Sequence, residues 1–267
     1  MLGEIVFVGL GLHDEKGISL QGLEEVRTAD NVFIELYTNL LSGFSEKNFR
    51  KIAGREFRVV SREELEDKSG EIVLEAAKAG KAVLLVPGDP LIATTHIALR
   101  IDAERLGIET RVIHGSSILS AVIGLSGLHS YKFGKSVTLP LPSSIIYETP
   151  YDVVALNQKL GLHTLCLLDI DMKESRYLEI REGLNLFLRI ERMRGENVIT
   201  GDTLVVGVAR AGSRNMTVKA GFLKDLIDYH FGDPPHTIVF PGKLHFMESE
   251  ALVALAGAPQ KIRTETT

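Results

Sequence analysis

Ile5-Val6-Phe7-Val8-Gly9-Leu10-Gly11-Leu12-His13-Asp14 decides the class of fold. Four consecutive apolar residues without polar alternation, closed by glycines, read as a parallel strand buried on both faces. Residues 19–29 then read as a helix, because Leu20, Leu23 and Val26 recur every three residues and Ser19 can cap its start. Working outward, residues 32–37, 82–86 (stopped by Pro87) and 110–113 read as strands, and 118–125 as a helix. Residues 96–106 form a further helix, with Ile97, Ile101 and Leu106 apolar and Thr94 or Thr95 as cap. In the second half, 136–141, 165–170, 204–209 and 237–240 read as strands, and 177–193, 222–229 and 247–256 as helices. Strands and helices that alternate at this spacing mean α/β. A chain of 267 residues accommodates two domains of about 130 residues each. The expected boundary separates 1–113 from 114–267, just before the loop His114-Gly115-Ser116-Ser117, and the Pro-rich stretch 140–150 is a second candidate. No fixed-period repeat or low-complexity tract interrupts this pattern.

Composition narrows the function classes. Apolar residues are 45% of the chain and charged residues 24%, the balance of a globular protein rather than a disordered one. Thirty basic against 35 acidic residues give no global basic field, so no nucleic-acid partner is expected. A single cysteine, Cys166, excludes an internal disulfide and a multi-cysteine zinc site; in its apolar run it reads as a buried structural thiol. The start lacks a basic segment and has Glu4 within its apolar stretch, so no signal peptide is expected. No apolar stretch approaches the roughly 18 residues of a membrane span, and the expected setting is the reducing cytoplasm. The eight histidines show no i, i+4 zincin pair, and there is no Gly-x-Ser-x-Gly elbow or Walker loop. No metal site is expected.

Three loops carry the chemical signal. After the first strand, Gly9 and Gly11 allow a sharp turn and close approach to a ligand. A dinucleotide fingerprint would need a third glycine where Asp14 stands and an earlier helix, although Glu35 could imitate its ribose-binding acid. A plain strand-to-helix turn and a different ligand loop both fit. The second loop, Pro87-Gly88-Asp89-Pro90, is held rigid by its prolines at the carboxyl end of a strand, where open α/β sheets bind ligands; a simple turn uses the same residues. The third is Phe231-Gly232-Asp233-Pro234-Pro235-His236, in which His236 offers its ring or its main chain.

Together these loops resemble the tetrapyrrole-methylase class of S-adenosylmethionine-dependent methyltransferases. The features are a strand ending in Gly-x-Gly with a following Asp, a Gly-Asp-Pro some way on, and a Ser-Ser loop opening a helix. Leu12-His13 stands where the porphyrin and corrin enzymes usually carry Pro-Gly. Within the class the diphthine synthase family is the nearer likeness. It is carried by Val8-Gly9-Leu10-Gly11-Leu12, Glu35-Leu36-Tyr37-Thr38, Pro87 through His96, and Tyr131-Lys132-Phe133-Gly134-Lys135-Ser136. Gly161-Leu162-His163-Thr164, Ala209-Arg210-Ala211-Gly212-Ser213, Gly232 through His236 and Pro241-Gly242-Lys243-Leu244-His245 follow in order. The resemblance implies two α/β domains of the tetrapyrrole-methylase type, S-adenosyl-L-methionine in the cleft between them, S-adenosyl-L-homocysteine as product, and a homodimer. It implies cofactor contacts at Leu10, Asp89, Ile92, Ser117, Ile118, Leu168, Ala211 and His236. The implied protein partner is translation elongation factor 2, methylated on the amino group of an aminocarboxypropyl histidine to give diphthine, in diphthamide biosynthesis. No catalytic base is named: a strong one is unnecessary, and catalysis can come mainly from alignment of the two reactants. Lys132, Lys135, Arg210, Arg214 and Lys243 are candidates for the rim that meets the partner. A corrin or porphyrin-precursor methylase, an NAD-dependent oxidoreductase and a non-catalytic binding module are the rival readings.

Overall fold

The structure, a computed structural model, describes residues 3–266. The chain divides into two compact units, the first ending at Ile118 and the second beginning at Leu119.

The first unit is built on β1 (Glu4–Gly9), β2 (Asn31–Glu35), β3 (Arg58–Val60), β4 (Lys81–Val86) and β5 (Glu109–Ile113), in the order β3-β2-β4-β1-β5, with every pairing parallel. Its helices are α1 (Leu20–Thr28), α2 (Glu46–Ala53), α3 (Glu71–Ala79) and α4 (Ile97–Arg105). Successive strand side chains point to opposite faces. Ile5, Phe7 and Leu84 accordingly pack with Val73, Leu74, Leu99 and Ala103 of α3 and α4. Val6, Val8, Val83 and Leu85 pack with Leu23, Val26 and Phe49 of α1 and α2. Covering on both faces is why β1 and β4 are unbroken apolar runs. Ser19 caps α1 by accepting from Gly22 N at 3.0 Å, as its position predicts.

The second unit opens with α5 (Ile118–Ser126), whose first residue closes the first unit. Its sheet comprises β6 (Val137–Leu139), β7 (Thr164–Leu168), β10 (Leu204–Ala209), β11 (Thr217–Phe222) and β12 (His236–Phe240), in the order β11-β10-β12-β7-β6. Only β6 and β7 run parallel; the other pairs are antiparallel. A small antiparallel pair, β8 (Ile170–Asp171) and β9 (Arg176–Tyr177), projects after β7. The helices are α6 (Thr149–Lys159), α7 (Ile180–Arg194), α8 (Leu223–Leu226) and α9 (Phe246–Ala256). Leu184, Phe187 and Ile190 of α7 fill the core against Cys166, Ile238 and Phe240. Burial pushes the Cys166 thiol up, which keeps it protonated and inert.

Several expected elements differ. The helix expected over 222–229 is a single turn, α8, because the chain before it is spent on the unforeseen strand β11. The helix expected from Tyr177 starts at Ile180, since Tyr177 pairs with Ile170. The strand expected over 165–170 breaks after Leu168, and the one over 32–37 ends at Glu35. The Pro-rich stretch 140–150 lies inside the second unit, where Pro150 opens α6. Among the described residues, no helix is long and apolar enough to cross a membrane.

Candidate functional site

The strand order sets β1 between β4 and β5, so the loops leaving their carboxyl ends are neighbours. Those loops meet main chain to main chain. Gly11 N donates to Gly88 O at 3.1 Å and Gly88 N to Gly11 O at 2.7 Å. Both glycines have positive φ, +77° and +74°, which side chains adopt rarely. A Cβ on Gly9 would stand 2.5 Å from Gly115 N and 2.6 Å from Gly88 O. Nothing larger than hydrogen fits there.

Asp89 follows Gly88 and is only 4% exposed. Its Oδ1 accepts from Leu91 N at 3.1 Å, closing an Asx turn over Pro90, and its Oδ2 lies 2.7 Å from His114 Nδ1. The rest of the loop is braced. Thr94 Oγ1 donates to Pro90 O at 2.9 Å, Thr95 Oγ1 to Glu66 Oε1 at 3.0 Å, and Ala93 is held at φ +57°. Buried His96 reaches buried Glu35 at 3.3 Å. Glu35 also accepts from Tyr37 N, Thr38 N and the Thr38 hydroxyl. Its oxygens are thus engaged within the protein, and the acid on which a dinucleotide reading depended is a loop brace.

Five of the expected contact residues gather at these strand ends. Leu10 is fully buried, so it offers main chain only; Ile92 is 40% exposed and Ile118 half-buried, presenting apolar surface; Asp89 and Ser117 are buried polar groups. The other three gather in the second unit. Leu168 ends β7, Ala211 follows β10, and His236 starts β12, which is antiparallel to both, so all three share one end of that sheet. The His236 ring is engaged. Its Nδ1 accepts from Ile180 N at 3.3 Å, and its Nε2 donates to Gly232 O at 2.9 Å. Burial lowers its pKa, keeping it neutral.

Three of the motif segments do something else. They converge at the opposite end of the same sheet on Glu248, at the start of α9. The Glu248 carboxylate accepts from His129 N at 2.8 Å, His245 N at 2.7 Å, His163 Nε2 at 2.8 Å and Lys132 Nζ. Burial raises the Glu248 pKa, but these donors outweigh it and hold it at about 2. Lys132 is therefore a buried-pair partner rather than a rim cation. Arg210 is likewise a brace, donating to the main-chain oxygens of Asn215 and Asp233 and to Thr217. Lys135, Arg214 and Lys243 are exposed.

In the sequence His114 marks only a domain boundary. Its position directly before Gly115, beside a glycine-lined strand end, was the available signal. Among the described residues no group of histidines, cysteines and carboxylates could hold a metal ion. What the first unit offers at these strand ends is closely packed glycine main chain, the partly exposed Ile92 and a buried Asp89 joined to an exposed His114.

Residues 4–227 match the family of tetrapyrrole (corrin/porphyrin) methylases. The diphthine synthase of Methanosarcina acetivorans is 47% identical over 268 residues, spanning 98% of this chain and 99% of that one. The diphthine synthase of Methanothermobacter thermautotrophicus is 44% identical, spanning 97% of each. A crystal structure of a diphthine synthase superposes with a TM-score of 0.87 at 42% identity, covering 98% of this chain and 99% of that one. A chain that follows these proteins from end to end is a methyltransferase and belongs to the diphthine synthase family of the tetrapyrrole methylases.

Proposed function

We propose that the chain methylates the amino group of the aminocarboxypropyl histidine of elongation factor 2, with S-adenosylmethionine as donor, as a step of diphthamide biosynthesis. The observation that carries this reading is the end-to-end likeness to diphthine synthases at 47% identity, without a missing or added segment of domain size. The proposed donor contacts are Leu10, Asp89, Ile92, Ser117 and Ile118 on the first unit and Leu168, Ala211 and His236 on the second. The residues present fit such a group: the space over Gly88 is open, with no atom within 4 Å of where a Cβ would stand, and the partly exposed Ile92 follows in the same loop. Main-chain groups suit the hydrogen bonds of an adenine and a methionine end, while Ile92 and Ala211 suit their apolar surfaces.

When bound, the donor supplies a methyl on sulfonium sulfur, an electrophile that an amine attacks in line. The chain's task is alignment of the two reactants. Exposed Lys135, Arg214 and Lys243 are proposed to meet the elongation factor. A homodimer working in the cytoplasm, where the substrate protein acts, completes the reading.

Intact-mass analysis of elongation factor 2 bearing the unmethylated intermediate, incubated with the chain and S-adenosylmethionine, tests it. Methyl increments are expected. Their absence, together with methylation of a corrin or porphyrin precursor, would move the chain to the other branch of its family.

A further inference from the structure

His114 is an exposed side chain at these strand ends arranged as a base. An ionised carboxylate only accepts hydrogen bonds, so the 2.7 Å contact with Asp89 Oδ2 places the ring proton on Nδ1. The lone pair then sits on Nε2, which has no protein partner among the described residues. The imidazole is 77% exposed, whereas its Asp89 anchor is 3% exposed. A mobile surface histidine would not be held this way. Here Asp89 is itself fixed by Leu91 N and by the proline on its carboxyl side, so tautomer and ring orientation are both set.

Resting on the proposed methyl transfer to an amine, we infer that His114 is a catalytic residue that takes the proton from the acceptor ammonium, and that Asp89 is its positioning residue. An α-amino group has a reference pKa of about 8, so only about a tenth of it is neutral at pH 7. The ammonium has no lone pair and cannot attack. Its proton passes to Nε2 of His114, forming an imidazolium paired with Asp89. The freed nitrogen lone pair forms the new carbon–nitrogen bond, while the carbon–sulfur bond breaks and its electron pair stays on sulfur. His114, open to solvent, returns the proton to water. Asp89 is the ionised group in contact with the ring, and it stabilises the imidazolium.

The size of the effect follows from the same pKa. A variant without the base draws on the roughly one-tenth of substrate that is already neutral, so its rate at pH 7 falls by at most about tenfold. That deficit closes toward pH 9, where the amine deprotonates unaided.

The experiment compares wild type, His114→Gln, His114→Ala and Asp89→Asn, using S-adenosylmethionine and elongation factor 2 carrying the unmethylated intermediate, from pH 6 to 9. His114→Gln is expected to lose up to about tenfold in kcat/KM at pH 7 and little at pH 9, with S-adenosylmethionine still raising its melting temperature. Added imidazole should restore part of the His114→Ala rate. In Asp89→Asn the amide oxygen stays on Leu91 N, so the amide nitrogen faces Nδ1 and moves the ring proton to Nε2. Nitrogen-15 spectra of labelled histidine should show that tautomer exchange, together with the same pH-dependent loss. Wild-type rate and pH profile in His114→Gln, or an Nε2–H tautomer at His114 in wild type, would overturn the inference while leaving methyl transfer intact. An inactive wild type that binds no S-adenosylmethionine would overturn the proposed reaction and the inference with it.

Discussion

At Gly9 a single added methyl tests how closely three loops meet. Its Cβ would fall on Gly115 N and Gly88 O, both main chain, which cannot swing aside. Gly9→Ala is expected to cost about 3 kcal/mol or more, the upper end of overpacking penalties. Gly54→Ala is the control. It closes α2 at φ +67° with open space around it, so only backbone strain of about 1–2 kcal/mol is expected. Urea denaturation of both should separate steric overlap from strain; equal losses would mean that the loops are free to part. His236 and Ala211 behave differently again. His236→Ala removes the acceptor for Ile180 N and the donor to Gly232 O, so stability should fall by about 1–3 kcal/mol. Ala211→Leu adds bulk at a buried loop residue and should weaken S-adenosylmethionine binding in calorimetry more than His236→Ala does.

Among elements, α9 is tied to the rest of the second unit through Glu248. The group is ionised at about 2 in the folded protein against 4.5 for the free side chain, so its contribution is complete above pH 4.5 and is lost as pH falls toward 2. His163 is held neutral, its pKa lowered mainly by burial, so the unfolded chain takes up a proton there first, below about pH 6.5. Both signs run the same way. Stability should decline in two stages on acidification, and Glu248→Gln should abolish the lower stage and cost about 3–5 kcal/mol at pH 7, as expected when one partner of a buried pair is removed. Thermal melts from pH 8 to 3 measure both. These contacts also mark where sequence reading stops. β1 and β4 are legible because each is an apolar run closed by a glycine or proline. β11 is not, because Thr217, Lys219 and Gly221 on an edge strand form no apolar run. The loops of the candidate site are legible through their glycines and prolines. The pairs Asp89–His114 and Glu35–His96 are not, since they join residues 25 and 61 positions apart with no local signature. The partners of Lys132 and Arg210 are hidden for the same reason, because an isolated positive charge gives no sign of the acceptor it will find.

For the whole molecule, the order β3-β2-β4-β1-β5 has a consequence for biosynthesis. β1 leaves the ribosome well before β4 and β5, which flank it in the finished sheet and begin at Lys81 and Glu109. Until those segments emerge, Ile5 to Val8 have no edge to join, and β2 can pair only with the three-residue β3. Pairings of such long sequence separation form late and leave apolar edges open to other chains meanwhile. Ribosome-arrested chains ending before residue 81 should be cut rapidly by protease and captured by chaperones, whereas arrest well beyond residue 118, with the exit tunnel cleared, should yield a protected first unit. Protection of the shorter chains would mean that β1 finds another partner first. The glycine-lined strand ends are thus among the last features of that unit to exist, and ligand binding cannot assist its folding until β5 and the loop after it have been made.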